Sequence, residues 1–326
     1  MRMEELRENP QNARRPNENP GLLALKRGAA LVERPGRGLL RLTGKDPVGM
    51  LNAVITNNVS TDAGRGTYAL LLNPKGRVQS DLRVLKAGVS VLVDTEPEGA
   101  EATREILGRY APFSRVKLED LSDTWVVLGL YGPSAGELLA GPGPAEHGTT
   151  GVEVGDVTLL AAGVAAPVPG YDLLGPLEAV TRARETLLER GAVPAGPDAH
   201  ETVRVWAGVP RFGSDLTPEN FPGEAGILGR SVDFGKGCYP GQETVARMRY
   251  RGHPNRTLYR VSHEGYSLAP GAPILQGEKT VGTVTSVAPL SVDGVTVALC
   301  YLSRNADLHA PLVTGDGRVE VLGEVS

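Results

Sequence analysis

The order of predicted strands and helices most constrains how this 326-residue chain can fold. Two runs of strand patterns each end in a helix pattern, which covers about 97–109 in the first run and 178–190 in the second. The strand patterns lie at 38–44, 68–72, 78–85 and 89–93 in the first run and at 125–131, 152–160 and 171–174 in the second. After residue 256, short strands rich in Val and Thr alternate with Gly, Pro and Asp turns, and no helix pattern occurs. This order predicts an α+β fold with an internal pseudo-repeat, followed by a small β-barrel or sandwich.

The changes of pattern also predict the domain boundaries. A chain of this length suggests two or three domains with a substantial core. We expect a polar N-terminal arm at 1–25, a first α+β unit at 26–120, a second α+β unit at 121–252 and a C-terminal β-barrel at 253–326.

Charge and composition limit the partners and the compartment. The net charge of −4 and the pI of about 5.8 give no overall attraction to nucleic acid or to an anionic membrane. The N-terminal segment is charged and rich in Asn and Pro, unlike a secretory signal, and no apolar run approaches the roughly 18 residues of a membrane span. Two cysteines do not make a disulfide framework. We therefore expect a cytoplasmic protein without a membrane segment.

The segment Lys236-Gly-Cys-Tyr-Pro-Gly-Gln-Glu243 is the strongest local signal of chemistry. It places Cys238 between glycines, beside Lys236 and a few residues before Arg247. Nearby cations favour a thiolate, and flanking glycines allow a ligand or backbone to approach the sulfur. Cys300, by contrast, lies in an apolar run that is typical of packing. The alternative for Cys238 is a small residue in a tight turn.

Two other kinds of site receive less support. The five histidines show no metal-ligand spacing, and a conventional iron–sulfur cluster needs about four ligands, mostly cysteines. We therefore expect no resident metal. The segment Gly132-Pro-Ser-Ala-Gly136 matches the nucleophile elbow of hydrolases, but Ser134 as the N-cap of a helix explains the same residues.

Arginines follow the cysteine segment closely. If 245–251 is extended, then Arg247, Arg249 and Arg251 share one face. Such a face can hold phosphates, and weak contact with RNA is one interpretation. A solvated strand face is the other.

The cysteine segment, together with Val245-Ala-Arg-Met-Arg-Tyr-Arg-Gly252 behind it, resembles the signature of the YgfZ family. These are folate-binding relatives of the glycine-cleavage T-protein, an aminomethyltransferase. The resemblance covers about 26–322, with further landmarks at 42–46, 68–82, 132–133, 170–172, 204–215 and 281–286. It implies a T-protein-like fold, in which two ferredoxin-like α+β units and a small C-terminal β-barrel ring a central site for tetrahydrofolate.

The resemblance also implies which residues bind folate. Asp172, preceded by Tyr171, matches an acidic residue that faces the pterin, and Arg204 matches an arginine near the folate or its support. Asp81 matches the second position of an Asp-Asp pair in T-proteins, whereas Ser80 stands at the first. T-proteins read Arg-Leu-Glu-Ala-Gly where this chain has Trp206 in place of the glutamate. These departures count against aminomethyl transfer, although Asp81 remains available as its carboxylate.

In the cysteine segment, the resemblance implies that Cys238 is the reactive residue. Lys236 and Arg247 would favour its thiolate. The remaining motif residues would position the loop; they are Gly237, Tyr239, Gly241, Gln242 and Glu243.

Two functions follow from the resemblance. The leading one is a tetrahydrofolate-binding accessory factor for iron–sulfur cluster assembly, maintenance or repair, whose client proteins include enzymes that modify tRNA. The alternative is a T-protein-type transfer of an aminomethyl or one-carbon group to tetrahydrofolate, with Asp81 as the catalytic carboxylate and a lipoyl-carrying partner as the source.

Overall fold

The computed structural model describes residues 19–325 except 63, 140–142, 253, 266–267, 293 and 316. Most of the N-terminal arm therefore lies outside the described residues, as does the side chain of Arg251. The α-helices are α1 (Pro20–Arg27), α2 (Pro47–Val54), α3 (Ala100–Tyr110), α4 (Ala135–Leu138), α5 (Leu177–Glu189), α6 (Pro197–Ala207), α7 (Leu228–Ser231) and α8 (Gln242–Arg251). The strands are β1 (Ala30–Arg34), β2 (Gly38–Gly44), β3 (Thr67–Leu72), β4 (Val78–Ala87), β5 (Ser90–Thr95), β6 (Val116–Asp120), β7 (Trp125–Tyr131), β8 (Thr149–Val154), β9 (Val157–Val164), β10 (Gly170–Pro176), β11 (Val193–Pro194), β12 (Arg256–Glu264), β13 (Pro273–Gln276), β14 (Lys279–Val287), β15 (Thr296–Ser303), β16 (Leu312–Thr314) and β17 (Gly317–Glu324).

The first unit is a five-stranded antiparallel sheet in the order β3-β4-β5-β2-β6. Helices α2 and α3 contribute apolar side chains such as Leu51 and Leu107 to the core against one face of this sheet. Asp46 caps α2 as the sequence predicts, because its side chain accepts a hydrogen bond of 2.8 Å from the backbone N–H of Gly49.

The second unit is a six-stranded sheet in the order β11-β1-β7-β10-β9-β8. Helix α5 packs on it through Val180, Ala183 and Leu187. Strand β1 pairs antiparallel with β7, so residues before the first unit belong to the sheet of the second. The predicted boundary between 26–120 and 121–252 made the two units consecutive along the chain. In the structure they are interleaved, because β1 comes before the first unit and belongs to the second sheet. The sequence patterns predict no strand before 38–44, so both β1 and its place in the second sheet come from the structure.

The C-terminal region is a closed barrel in the order β12-β15-β14-β13-β16-β17. The predicted α+β fold with a terminal β-barrel is thereby confirmed. A core that includes Phe212, Tyr239 and Val245 joins the barrel to the first sheet, so the cysteine segment lies between the two. No helix among the described residues is long and apolar enough to cross a membrane.

The condition for a shared face of Arg247, Arg249 and Arg251, an extended 245–251, is not met, because the chain there forms α8. Gly241 precedes the helix at φ 82°, and a Cβ at this position would lie 2.6 Å from the carbonyl oxygen of Asn73. Glu243 and Arg247, one turn apart, form an ion pair of 2.7 Å that suits a helix. On a helix, Arg247 and Arg249 are about 200° apart and do not share a face.

Candidate functional site

One cavity lies where β4 and β5 of the first sheet, β10 of the second, and α6 with its following loop come together. It has a volume of about 1000 Å³ including its mouth. Its walls carry an unusual number of charged groups for a cavity of this size. The arginines are Arg34, Arg37, Arg83, Arg204, Arg211 and Arg230, and the carboxylates are Asp81, Asp94, Glu96, Glu146, Asp172 and Glu201.

Buried ion pairs hold one wall of the cavity in place. Arg37 Nε lies 2.5 Å from Asp94 Oδ1, and Arg37 Nη1 lies 2.6 Å from Glu96 Oε1. Arg83 binds Asp94 as well, through both Nε and Nη2. Because each of these buried charges has a partner of opposite sign, the desolvation cost is offset and the side chains are fixed.

Asp172 lies at the junction of the two sheets and is completely buried. Arg83 Nη2 lies 2.5 Å from its Oδ2, and the hydroxyl of Tyr131 donates to its Oδ1. Burial alone would raise the pKa of Asp172, but the charges of Arg83 and Arg34 and the Tyr131 hydrogen bond outweigh burial and hold the pKa well below its usual range. Asp172 is thus at the cavity, yet both of its oxygens already have protein partners.

Asp81 is the opposite case among the cavity carboxylates. It is 8 % exposed, and its Oδ2 accepts a hydrogen bond of 2.9 Å from Tyr68. Burial and the neighbouring charge of Glu96 raise the pKa of Asp81 to about 6, although the Tyr68 hydrogen bond and Arg37 act in the other direction. Two carboxylates of one cavity therefore differ in character: Asp172 stays ionised, while Asp81 exchanges a proton near neutral pH.

Two departures from the T-protein pattern lie outside the cavity. Ser80 is fully buried on the opposite face of β4 from Asp81, where its hydroxyl contacts Thr95 and Thr103. Trp206 packs among apolar side chains and does not line the cavity. Neither substitution removes a charge from the cavity wall, so the reason to doubt transfer chemistry is weaker than the sequence suggests.

Arg204 lines the cavity, but its guanidinium is occupied by protein groups. It donates to Glu201 Oε2 at 2.9 Å, to Asp215 Oδ2 at 2.7 Å and to Ser286 Oγ at 2.7 Å. These bonds connect α6 to the loop after it and to β14 of the barrel. Of the two roles that the resemblance allows, the geometry favours support of the site over direct contact with a ligand.

Tyr171 is not brought to the cavity. It alternates with Asp172 along β10, so its side chain lies on the other face, where it packs with the core of the second sheet. Its hydroxyl accepts a hydrogen bond of 3.1 Å from the N–H of Gly143. The implied folate contact of Tyr171 does not fit this placement.

The cysteine segment lies beside the first sheet and does not line the cavity. Cys238 is exposed, whereas Tyr239 is buried. Lys236 Nζ donates to the carbonyl oxygens of Ile55 at 2.6 Å and Asn57 at 2.9 Å, and burial lowers the pKa of Lys236 to about 8. Lys236 therefore anchors the loop to the first unit.

The expected support of a Cys238 thiolate by Lys236 and Arg247 does not fit these contacts. Lys236 binds backbone carbonyls, and Arg247 binds the exposed carboxylate of Glu243. Gln242 begins α8, with its N–H 3.3 Å from the Tyr239 carbonyl oxygen, and Gly237 has open space around the position of a Cβ. Glu243 and Gln242 thus belong to the helix start and not to a site around the sulfur.

Sequence reasoning missed several cavity residues. Arg83 could have been predicted from the sequence, because it lies two positions after Asp81 on a strand and hence on the same face. Tyr68, His147 and His200 carry no such signal, since each comes from a different element and only the tertiary fold brings them together.

The sequence of this chain is similar to those of a known protein family. The family model described as the GCVT N-terminal domain matches residues 19–236, more than half of the chain. The chain belongs to the GCVT family. An aminomethyltransferase of Streptomyces avermitilis is 28% identical over 92% of this chain and 84% of its own length. A putative chloroplastic transferase of Arabidopsis thaliana is 27% identical over 95% of this chain and 73% of its own length.

The fold of this chain is also similar to that of a solved structure. The glycine cleavage system aminomethyltransferase T from Bartonella henselae superposes with a TM-score of 0.81 at 20% identity, covering 92% of this chain and 87% of that one. At this identity the match shows the fold alone. The finer resemblance to the YgfZ branch depends on the segment around Cys238 and stays a prediction.

Proposed function

We propose that this GCVT-family protein binds a reduced folate in the charged cavity and transfers a one-carbon unit there, in the manner of an aminomethyltransferase. The observation that carries the proposal is Asp81, a buried carboxylate with a pKa of about 6 at the wall of this cavity. A carboxylate that changes protonation near neutral pH suits general acid–base catalysis. The relatives named aminomethyltransferase point to the same chemistry.

The polar groups of the cavity fit a folate. Arg211 Nε and one ring nitrogen each of His147 and His200 are buried without a hydrogen-bond partner among the described residues. Buried polar atoms are normally paired, so a cluster of unpaired ones around one cavity suggests a polar ligand. Arg230, which lies over the Tyr68 ring and has no carboxylate partner in the described chain, could pair with an anionic group.

Each charged residue then has a distinct task in the transfer. Bound tetrahydrofolate would supply the nitrogens that accept the carbon. Asp81, as the carboxylate, would accept an N–H proton of the folate as a new N–C bond forms. It would return that proton to the departing group as the donor's C–S or C–N bond breaks, so that the lipoyl thiol and ammonia leave; Tyr68 holds the Asp81 Oδ2 in place. The ion pairs of Arg37 and Arg83 keep the surrounding wall rigid, so that the charges need no reorganisation during the reaction.

Calorimetric titration with tetrahydrofolate tests the binding part of the proposal. We expect one site in the wild-type protein and at least about tenfold weaker binding for Ala165→Trp, because Ala165 lines the cavity and a large ring there fills it. Ala269→Trp, at an exposed position of the barrel region, is the matched control and should bind like the wild type. Absence of binding to the wild type, or equal binding to both variants, would contradict the proposal.

A second candidate function is supported by the cysteine loop. Cys238 is exposed on a loop that Lys236, buried Tyr239 and Gly241 hold against the first sheet, which is an unusual arrangement for a thiol with only a packing role. We propose as the alternative a folate-dependent accessory factor for iron–sulfur enzymes. In it, the Cys238 thiolate would transiently coordinate iron, or iron that carries sulfide or a client thiolate as its other ligands, without a change of oxidation state.

Complementation separates the two functions. If the accessory function holds, Cys238→Ala and Cys238→Ser should leave iron–sulfur enzyme activity at the level of the deletion in a strain that lacks the gene. The serine matches the shape of the cysteine but lacks its thiol. Asp81→Asn should restore that activity if transfer chemistry is not involved. Full restoration by Cys238→Ala would remove the accessory role of the thiol. The expected RNA contact through Arg247, Arg249 and Arg251 stays an untested prediction.

A further inference from the structure

His200 lines the cavity, but it has no role in the proposed transfer and no hydrogen-bond partner in the described ion-pair network. It lies on α6, and its imidazole stacks on the ring of Tyr131 with centroids 5.6 Å apart and an interplanar angle of 21°. Its Nε2 is buried without a hydrogen-bond partner, and no hydrogen bond to its other ring nitrogen occurs within the described chain. The ring is therefore held in orientation by stacking, while the described chain provides no hydrogen bond to either of its nitrogens.

An unpaired imidazole in this setting is unfavourable for the protein alone. Burial, together with the charge of Arg34, lowers the pKa of His200 to about 4, so the ring is neutral near pH 7 and carries one N–H and one acceptor nitrogen. Leaving such a group without a partner is unfavourable when it is removed from water. A ligand that meets the ring in the cavity would recover part of this cost.

The arrangement around His200 occurs twice in the same cavity. Tyr131 binds Asp172 and carries His200 on its ring, and Tyr68 binds Asp81 and carries His147 at 6.2 Å and 22°. Three buried side-chain atoms that lack partners in the described chain belong to residues lining this cavity, namely His147 Nδ1, His200 Nε2 and Arg211 Nε. The concentration of unmet hydrogen-bonding groups in one place indicates that they serve a ligand and are not scattered packing defects.

We propose that His200 is a ligand-binding residue, whose neutral imidazole hydrogen-bonds a polar group of the bound reduced folate. The inference rests on the folate site proposed above. Tyr131 fixes the ring through the stack, and its own hydroxyl is fixed by Asp172 and by Arg34 Nη1 at 3.1 Å. The position of the imidazole is thus set by a chain of contacts that reaches into the buried ion pairs, as a specific ligand contact requires.

Calorimetric titration of three proteins with tetrahydrofolate tests the proposal. His200→Phe keeps a ring on Tyr131 but removes both nitrogens, and its Kd should rise about tenfold, as expected for one lost hydrogen bond. His200→Gln returns a polar group, so its Kd should lie within about threefold of the wild-type value. His309→Phe, which alters an exposed histidine of the barrel region, should change nothing.

The outcomes separate this inference from the function on which it rests. If the wild type binds tetrahydrofolate and His200→Phe binds within about twofold of it, the role of His200 is wrong while the folate site stands. If the wild type does not bind, both are overturned. In the folded wild-type protein, the imidazole NMR signals of His200 should shift on saturation with tetrahydrofolate and those of His309 should not; signals of His200 that stay in place would overturn the contact even if His200→Phe does not fold.

Discussion

Asp81→Asn should lower the rate of one-carbon transfer by about 10²–10⁴-fold, the usual contribution of a general acid or base, while tetrahydrofolate binding changes little. Asparagine has nearly the same shape and can still accept the hydrogen bond from Tyr68, so the cavity wall is preserved. What it lacks is the ability to take up a proton. The measurement is the rate of transfer from an aminomethyl donor on a lipoyl-carrying protein to tetrahydrofolate.

The pH dependence follows from the raised pKa of Asp81. As the carboxylate is the reactive form, the wild-type rate should rise as the pH increases through about 6 and then level off, and this step should be absent in Asp81→Asn. Asp62→Asn, which changes an exposed carboxylate of the same unit, should behave like the wild type. Transfer at an undiminished rate in Asp81→Asn would show that another group moves the proton.

Asp81→Asn should also stabilise the folded protein above pH 6. The pKa of Asp81 is higher in the folded state, so the folded state binds more protons and loses stability as the pH rises from about 4 to about 6. At about 1.4 kcal/mol for each pKa unit, the loss is on the order of 1–3 kcal/mol. Asparagine does not ionise, so the unfolding free energy of the variant should exceed that of the wild type at pH 7.5 and match it near pH 4.

Arg83→Met should be the most destabilising of the cavity substitutions, at about 3–5 kcal/mol of unfolding free energy, because it removes a positive charge that two buried carboxylates share. Asp172 loses its ion pair and keeps only Tyr131, and Asp94 keeps Arg37 alone. Chemical denaturation at pH 7.5 measures the loss. Arg41→Met, which breaks a partly exposed pair of 3.2 Å with Glu119 in the same sheet, should cost no more than about 1 kcal/mol.

Two further measurements identify the cause of that loss. Arg83→Met combined with Asp172→Asn should recover part of the stability, since the unpaired charge is removed along with its partner. The pKa of Asp172 is depressed in the folded protein, so its contribution is present above the unfolded pKa of about 3.9 and is lost as the pH falls below it. The penalty of Arg83→Met should therefore shrink at low pH, and a constant penalty would point to packing instead of charge.

Patterns along the chain identified much of the architecture. Alternation and turn residues located β2 to β5 of the first sheet, β7 and β10 of the second, and β14, β15 and β17 of the barrel, whereas β1, β6 and β12 were not predicted. For 245–251 an extended strand was only a condition, because its alternating arginines suit an exposed strand face as well as an exposed helix. Its α-helical state depends on the left-handed turn at Gly241, which fits against Asn73 from a distant part of the chain.

The sequence alone determined the α+β order and the terminal barrel, since these follow from local spacing and residue type, and the family resemblance implied Asp81 as the candidate carboxylate. The tertiary structure decided that β1 joins the second sheet, that Tyr171 faces away from the cavity, and that the charges of Lys236 and Arg247 are used away from Cys238. It also decided that Asp81 and Asp172 differ in proton affinity. That difference arises from which arginines lie within a few ångströms of each carboxylate, and such distances are set only when elements far apart in sequence pack together.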